Sequence, residues 1–282
     1  MKFRFPGNGN ILSFDLRQYL LVLNASKGVV PEFVNPKYKV GVNGGYKDQP
    51  GSTTEYLQPA RLESMMQDYP KLMHKYRESL KITDSHLVIT YPREIAWSPV
   101  KNSLERGHEL EKKTGHAESA ASGERDLLRT YRMLFTSVNE CPVCNPSGGS
   151  RVTMEDESYV VLGPEAGCTT EEIHSHLGSG IVLKKGSVLV INCRNWYLDN
   201  VTVDGTLILD DDSGQEFHSS RIELRNCLVQ NKGWSYKTIN PEDNCYSPIY
   251  QMRGFIVEKS ESCSLYCGKN GDCIQCDRTL HV

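Results

Sequence analysis

A chain of 282 residues, with 38% apolar and 24% charged residues, is long enough to bury a core and to form two domains. No apolar run approaches the roughly 20 residues that cross a bilayer, and the segment MKFRFPGNGN lacks the apolar core of a secretory signal, which predicts a cytoplasmic protein without a membrane partner. A net charge of -3, with Lys and Arg scattered along the chain, argues against a nucleic-acid surface and leaves small anionic ligands open.

Helical and extended patterns alternate in the first 140 residues. Apolar residues at helical spacing within 10–28 predict a helix that ends at Gly28, and residues 29–38 predict a short strand. The polar, Gly-rich stretch 39–56 then predicts an exposed loop that is long enough to bind or cover a ligand.

Residues 60–70, ARLESMMQDYP, place polar groups among apolar ones. Their spacing favours a helix with an apolar stripe, in which Met65 and Met66 pack in the core. The polar side chains form either a solvated face or a ligand-binding face, and they belong to Arg61, Glu63, Gln67 and Asp68. The segment alone does not decide between these two readings.

Three further patterns complete this half of the chain. Leu87, Val88 and Ile89 predict a strand, which is followed by a Pro-interrupted run. Residues 120–135, AASGERDLLRTYRMLF, predict a helix. Residues 141–157 have the composition of a linker between two domains.

From residue 158 onward, short strands with alternating apolar residues are separated by Gly, Asn and Asp. Val201, Val203, Leu207 and Leu209 are predicted to line one side, with Thr202, Asp204 and Asp210 facing away. Such repeated rungs favour a parallel β-solenoid, and a small sandwich is the alternative. No acid/base pair or nucleophile is recognisable in this half, so its expected role is that of a scaffold or an assembly module.

Ten cysteines suggest three alternatives: structural zinc, reduced thiols or disulfides. Cys168, Cys193 and Cys227 stand singly in apolar surroundings and are interpreted as core or surface thiols. Pairs spaced by two residues suit tetrahedral zinc, because a short turn aims both thiolates at one ion. The candidate zinc ligands are Cys141, Cys144, Cys273 and Cys276, with Cys263 and Cys267 as a local alternative set.

Five short blocks of unusual composition follow one another along the chain: FPGNGN, EFVNPKY, ARLESMMQDYPK, SPVKN and SAASGE. On these blocks and their order, the chain resembles the UDP-sugar pyrophosphorylase family. VDGTLILD and NKGW resemble the C-terminal β-helical part of the same family. The resemblance implies an α/β fold, the C-terminal part of a Rossmann-like nucleotidyltransferase domain, followed by a small all-β domain of the left-handed β-helix type. No Gly-rich nucleotide loop of the family occurs here, so the chain is expected to be the C-terminal half of such an enzyme.

The implied reaction transfers a uridylyl group from UTP to a sugar 1-phosphate. A phosphate oxygen of the sugar phosphate attacks the α-phosphorus, pyrophosphate leaves, and a UDP-sugar is formed. Positioning and neutralisation of phosphate charge carry such a reaction. By resemblance, Lys101 of SPVKN reaches the phosphates, and the family's Mg²⁺ ligand is expected outside this chain.

The resemblance also gives a purpose to the polar side chains of residues 60–70. Glu63 is the leading sugar contact, because a carboxylate accepts hydrogen bonds from two adjacent hydroxyls. Asn10 and Asn35 are further polar candidates for the sugar side of the cleft. Arg61 and Lys37 are interpreted as contacts to ligands or as members of ion pairs.

The domain prediction that follows divides the chain into four parts. Residues 1–140 are the C-terminal part of the catalytic domain, 141–157 the linker, 158–258 the β-helix-like domain and 259–282 a Cys-rich tail. The expected partners are UTP or a UDP-sugar, a sugar 1-phosphate and the remaining half of the enzyme as a separate chain. The alternative function is a non-catalytic binding or assembly module built on the solenoid and a cysteine clip.

Overall fold

The structure is a computed structural model that describes residues 7, 9–38, 56–83, 88–143, 145–146, 148–210, 221–240, 242–266, 274–276 and 280–281. The chain divides into two compact units, Met1–Tyr91 and Pro92–Val282. The fold is mixed α/β with parallel sheets, which confirms the predicted class at that level. No helix of the described segments combines the length and the apolar composition that crossing a membrane requires.

The first unit contains, among its described residues, two helices and an antiparallel hairpin: α1 (Leu16–Ser26), β1 (Glu32–Tyr38), β2 (Tyr56–Ser64) and α2 (Tyr69–Leu80). α1 begins after Asp15, whose carboxylate accepts a hydrogen bond from the Gln18 amide at 3.0 Å, and it ends at Lys27 in the left-handed conformation. The helix and the first strand confirm the predictions for these segments. The small core of the unit centres on Val22, Tyr69 and Leu72.

Residues 60–70 do not form one helix, so that prediction was wrong. Residues through Ser64 belong to β2, which pairs with β1, and a 3-10 turn then covers Met66–Asp68. α2 begins at Tyr69 with Pro70 in its first turn. Proline suits this place because its missing N–H would have no partner there. Strand pairing with β1 therefore overrides the helical spacing of the apolar residues.

Several apolar residues that were predicted to lie inside are exposed. Met65 and Met66 were assigned to the core but are 41% and 59% exposed, because Tyr69 and Leu72 supply the core contacts of this segment. Val88 and Ile89 were predicted to form a strand but have no strand conformation, and they pair with no strand in the described part of the chain. Both predictions were wrong, because a short apolar run does not specify a partner.

The second unit begins with three helices, α3 (Arg93–Ala96), α4 (Leu104–Thr114) and α5 (Ala120–Thr136). The long helix α5 confirms the prediction for residues 120–135. α4 was not predicted, although it has ordinary signals at both ends: the Ser103 hydroxyl accepts a hydrogen bond from the Arg106 amide at 3.3 Å, and Gly115 ends the helix in the left-handed conformation.

The rest of the unit consists mainly of short strands. In chain order, the elements are β3 (Val152–Met154), β4 (Tyr159–Leu162), α6 (Thr170–Ser175), β5 (Ile181–Leu183), β6 (Val188–Asn192), β7 (Trp196–Asp204), β8 (Thr206–Asp210), β9 (Ile222–Gln230), β10 (Trp234–Thr238), α7 (Pro248–Arg253), β11 (Phe255–Lys259), β12 (Cys263–Tyr266), β13 (Ile274–Cys276) and β14 (Leu280–His281). One parallel sheet has the order β13-β9-β7-β5-β3, with β14 also paired to β9, and the other has the order β12-β8-β6-β4. From β3 to β9 the chain alternates between the two sheets. β10 and β11 form a separate antiparallel pair.

The core of the second unit lies on the inward faces of these strands. Its apolar residues alternate with partly exposed ones, as expected for strands with one buried face. The predicted inward residues Val201, Val203, Leu207 and Leu209 are all fully buried, and Thr202, Asp204 and Asp210 are partly exposed. The predicted side-chain pattern is therefore confirmed.

The ends of the predicted β domain differ from the structure in two places. β3 lies inside the predicted linker 141–157 and pairs with β5. The predicted Cys-rich tail extends the sheets, since Cys263 lies in β12 opposite Leu207, and Cys276 lies in β13 opposite Leu224. Part of the tail is thus continuous with the β core.

One polar atom in the core gives a first testable prediction. Among the described residues, the Thr206 hydroxyl oxygen is fully buried and has no hydrogen-bond partner. Thr206→Val keeps the side-chain shape and removes this unsatisfied group, so we expect it to raise the free energy of unfolding by about 1 kcal/mol. Denaturant unfolding measures the change, with Thr202→Val on the partly exposed face as the control. A destabilised Thr206→Val protein would contradict the expectation.

Candidate functional site

The segment 98–103, here called the lysine loop, is held at several points by the connection between α4 and α5. The amides of Lys101 and Asn102 both donate to the Glu118 carbonyl, at 2.8 and 2.9 Å. The Asn102 side-chain amide donates to the Ala117 carbonyl at 3.1 Å. At the other end of the loop, the Ser98 hydroxyl donates to the Asp126 carboxylate at 2.7 Å. The backbone that carries Lys101 is therefore fixed before any ligand binds.

Packing brings together two of the sequence blocks that carry the family resemblance. A Cβ added at Gly123, in SAASGE, would lie 3.1 Å from Val100 Cγ2, in SPVKN. Glycine therefore allows the start of α5 to approach the lysine loop closely. The first turn of α5 is itself fixed, because Ser119 and Ser122 form a capping box in which each hydroxyl accepts a hydrogen bond from the other residue's amide.

The Lys101 side chain is exposed and makes no ion pair within the described residues. A lysine on a fixed backbone, with its ammonium still available, can bind a phosphate group as a point charge. The lysine loop thus presents one exposed cation, and the phosphate contact of Lys101 stays a prediction.

A pocket of about 350 Å³ lies beside the lysine loop, and Ser98, Pro99 and Glu118 form part of its wall. Three arginines in the wall are each paired with an acidic residue: Arg93 with Glu118 at 3.1 Å, Arg125 with Glu111 at 2.6 Å and Arg129 with Asp126 at 3.5 Å. Because these charges compensate each other, the pocket is not a strongly cationic cavity. Lys101 is the better candidate for a phosphate contact.

The predicted sugar contacts lie on the β1–β2 hairpin of the first unit. Arg61 and Glu63 are two residues apart in β2 and therefore share one face of the strand; Arg61 is exposed and Glu63 is partly exposed. The backbone of Asn35 lies directly opposite Arg61, and that of Lys37 lies opposite Gln58 across an irregular pair. The structure thus brings these four candidates onto one hairpin, without testing what they bind.

The remaining polar candidates of the first unit are placed separately. Asn10 is exposed and has a left-handed backbone with a φ of 59° in the segment that precedes α1. Asp68 is buried, and its carboxylate lies 2.6 Å from the Lys71 ammonium. This ion pair supports a structural role for Asp68, which the sequence left open.

The cysteine prediction falls only in part on the described residues. Cys193 and Cys227 are 1% and 3% exposed, and Cys168 is exposed, as expected for core and surface thiols. Cys144 and Cys273 lie outside the described residues. Within the described part, no group of three or more His, Cys, Asp or Glu side chains is arranged to hold a metal ion.

Cys141 and Cys276, the two predicted zinc ligands within the described residues, lie near opposite edges of one sheet. Cys276 is in β13, at one edge of the sheet. Cys141 lies near β3, at the other edge: it follows Asn139, whose side chain accepts hydrogen bonds from the amides at the start of β3. Four strand spacings of about 4.8 Å separate these edges, whereas sulfurs that share a zinc ion lie within about 4 Å of each other. This separation weighs against one site shared by both pairs, and the zinc site stays a prediction.

Sequence reasoning missed the residues that fix the lysine loop. Glu118 holds two loop amides through its carbonyl and has a left-handed backbone with a φ of 52°, which nothing in the sequence signals. Asp126 lies 28 residues from its partner Ser98. Asn102 was within reach of sequence reasoning, because it stands next to Lys101 in the block SPVKN.

Comparisons with known proteins identify three similar proteins of one name. The UDP-sugar pyrophosphorylase of Arabidopsis thaliana is 30% identical over 261 residues, which are 91% of this chain and 38% of that protein. The enzymes of the same name from Oryza sativa subsp. indica and subsp. japonica are 28% and 27% identical over 265 residues, 93% of this chain and 39% of theirs. The chain therefore spans less than half the length of these relatives. No protein-family model matches it.

Proposed function

The chain belongs to the UDP-sugar pyrophosphorylase family, and we propose that it supplies the phosphate-contacting lysine and the sugar contacts of a uridylyltransferase. The reaction converts UTP and a sugar 1-phosphate into a UDP-sugar and pyrophosphate. The observation that carries the proposal is the lysine loop, whose fixed backbone presents the exposed Lys101 beside a second family block.

In this proposal Lys101 contacts the phosphates during the transfer. A sugar phosphate oxygen forms a bond to the α-phosphorus of UTP while the bond to the β-phosphate oxygen breaks, and charge develops on the departing pyrophosphate. The fixed backbone of the lysine loop limits the volume within which the Lys101 ammonium moves, so less ordering is needed for it to stabilise that charge. Ser98, Asn102 and Glu118 act indirectly, by holding the loop.

The Mg²⁺ ligand and the nucleotide loop of the proposed enzyme are proposed to lie outside the described residues. Mg²⁺ would neutralise phosphate charge, and its protein ligand is proposed to lie in the portion that the longer relatives have beyond this chain. The same portion would supply the nucleotide loop, as a separate chain or as part of a longer one. The alternation of strands between two parallel sheets supports a β-helix-like scaffold for the second unit.

Glu63 is proposed to accept hydrogen bonds from sugar hydroxyls, and this gives the experiment that tests the binding part of the proposal. Glu63→Gln removes the charged acceptor and keeps the shape, so in an active protein that contains this chain and the nucleotide loop we expect affinity for glucose 1-phosphate to fall about tenfold, while UTP affinity stays within about twofold. Titration calorimetry measures both affinities. Glu32→Gln is the matched control, because Glu32 is an exposed carboxylate on the same hairpin. Equal losses for both variants would remove Glu63 from the sugar site.

A further inference from the structure

The segment 234–259 makes a specific contact with the start of α5. It comprises β10, α7 and β11, and α7 ends at Arg253. The Arg253 guanidinium binds the Glu124 carboxylate through two nitrogens; Nε donates to Oε2 at 2.6 Å, and Nη2 donates to Oε1. Since Glu124 directly follows Gly123, this forked pair lies next to the residue that packs against the lysine loop.

The next residue, Gly254, approaches the start of α4. A Cβ added at Gly254 would lie 2.7 Å from Leu104 Cδ2, and its backbone is left-handed with a φ of 82°. Leu104 is the first residue of α4 and lies three positions after Lys101. Two consecutive residues, Arg253 and Gly254, therefore contact the start of α4, which follows the lysine loop, and the start of α5, which packs against it.

This contact is more than an ordinary surface ion pair, which contributes about 0 to 1 kcal/mol to stability. Arg253 and Glu124 are only 25% and 31% exposed, and the Arg253 guanidinium stacks on the Phe255 ring at 4.2 Å. Phe255 in turn packs against Tyr236, where burial raises the pKa of the phenol to about 12. The forked geometry and the aromatic packing make this a fixed contact.

We propose that Arg253 and Gly254 form a positioning element for Lys101, which holds α4 and α5 at the separation that fixes the lysine loop. The proposal rests on the proposed role of Lys101 in phosphate contact, but its structural part can be tested without any substrate. Arg253 lies 129 residues from Glu124 along the chain, so their contact depends on the tertiary fold of the unit.

The first test measures loop order in the whole chain. Arg253→Met removes the fork and keeps an apolar stem, so we expect hydrogen exchange of the Lys101 and Asn102 amides to accelerate at least about fivefold, because their bonds to Glu118 open more often. Amides of the core strands β6 and β8 should exchange as before. Arg194→Met is the matched control, since Arg194, in the connection after β6, also binds a glutamate through two nitrogens, namely Glu165 in the connection after β4.

Two further variants keep this test decisive. Arg253→Lys retains the charge without the fork, so a smaller acceleration is expected, and it replaces Arg253→Met if that variant does not fold. Exchanging the partners, Arg253→Glu with Glu124→Arg, should restore part of the protection. Unchanged loop exchange in Arg253→Met would overturn the proposal, whatever Lys101 does in catalysis.

The second test asks whether Arg253 acts through Lys101. In an active protein that contains this chain, we expect Arg253→Met to lower kcat about fivefold and to change the KM for UTP much less. The double variant with Lys101→Ala should be no slower than Lys101→Ala alone, because the lysine that Arg253 positions is then absent. Additive losses would overturn the positioning role, whereas failure of the proposed function would be recognised separately, by an unchanged rate in Lys101→Ala alone.

Discussion

The isolated 282-residue chain is expected to release no pyrophosphate from UTP with any sugar 1-phosphate, even at high Mg²⁺ concentration. Transfer needs a cradle of backbone amides for the triphosphate, and one lysine cannot replace it. The Gly148–Gly149 pair has positive φ angles of 66° and 97° but leads into strand β3 and not into a helix, and Gly44–Gly45 lies outside the described residues. A coupled pyrophosphate assay measures the release.

The matched control for this prediction is a chimera. Replacing the matched 261-residue region of the Arabidopsis relative with this chain would supply the portion that the relative has in addition. We expect such a chimera to turn over at a rate typical of enzymes, about 1 per second or more. Turnover of that size by the isolated chain would contradict the prediction. If the chimera folds but is inactive, the result favours the alternative of a non-catalytic assembly module.

The parts of the fold that could be predicted are those in which local pattern and tertiary packing agree. α5 and the alternating residues of β7 and β8 follow directly from periodicity, because each buries the face that its sequence makes apolar. The C-terminal part of β2 belongs to a stretch with helical spacing of apolar residues, but its backbone pairs with β1. Residues 39–55 separate the two strands along the chain, and a local sequence pattern does not specify such a distant partner. The exposure of Met65 and Met66 is part of the same error.

The candidate site shows the same division between local and long-range information. Lys101 could be found, because it stands in a short block of unusual composition that resembles a known family. Its supports could not, since Glu118 acts through a backbone carbonyl and Arg253 is 129 residues from Glu124 along the chain. Sequence therefore identifies the group that is proposed to meet the ligand more readily than the groups that hold its loop in place.

Lys101→Ala is expected to lower the rate of the chimera about a hundredfold or more, the effect of removing a charge that acts on the transition state. Folding should change little, because the Lys101 side chain is exposed and the loop is held through backbone groups that alanine retains. Steady-state kinetics in both directions of the reaction measure the loss, and thermal unfolding checks the fold.

Two further variants assign the loss to the charge at this position. Lys112→Ala removes another exposed lysine, from the last turn of α4, so it changes the net charge by the same amount without touching the lysine loop, and its rate should stay within about twofold. Lys101→Arg keeps the positive charge but replaces a compact ammonium by a planar fork, so we expect it to recover only part of the rate. If Lys101→Ala and Lys112→Ala turn over equally fast, Lys101 is a surface lysine and the phosphate contact belongs to another residue.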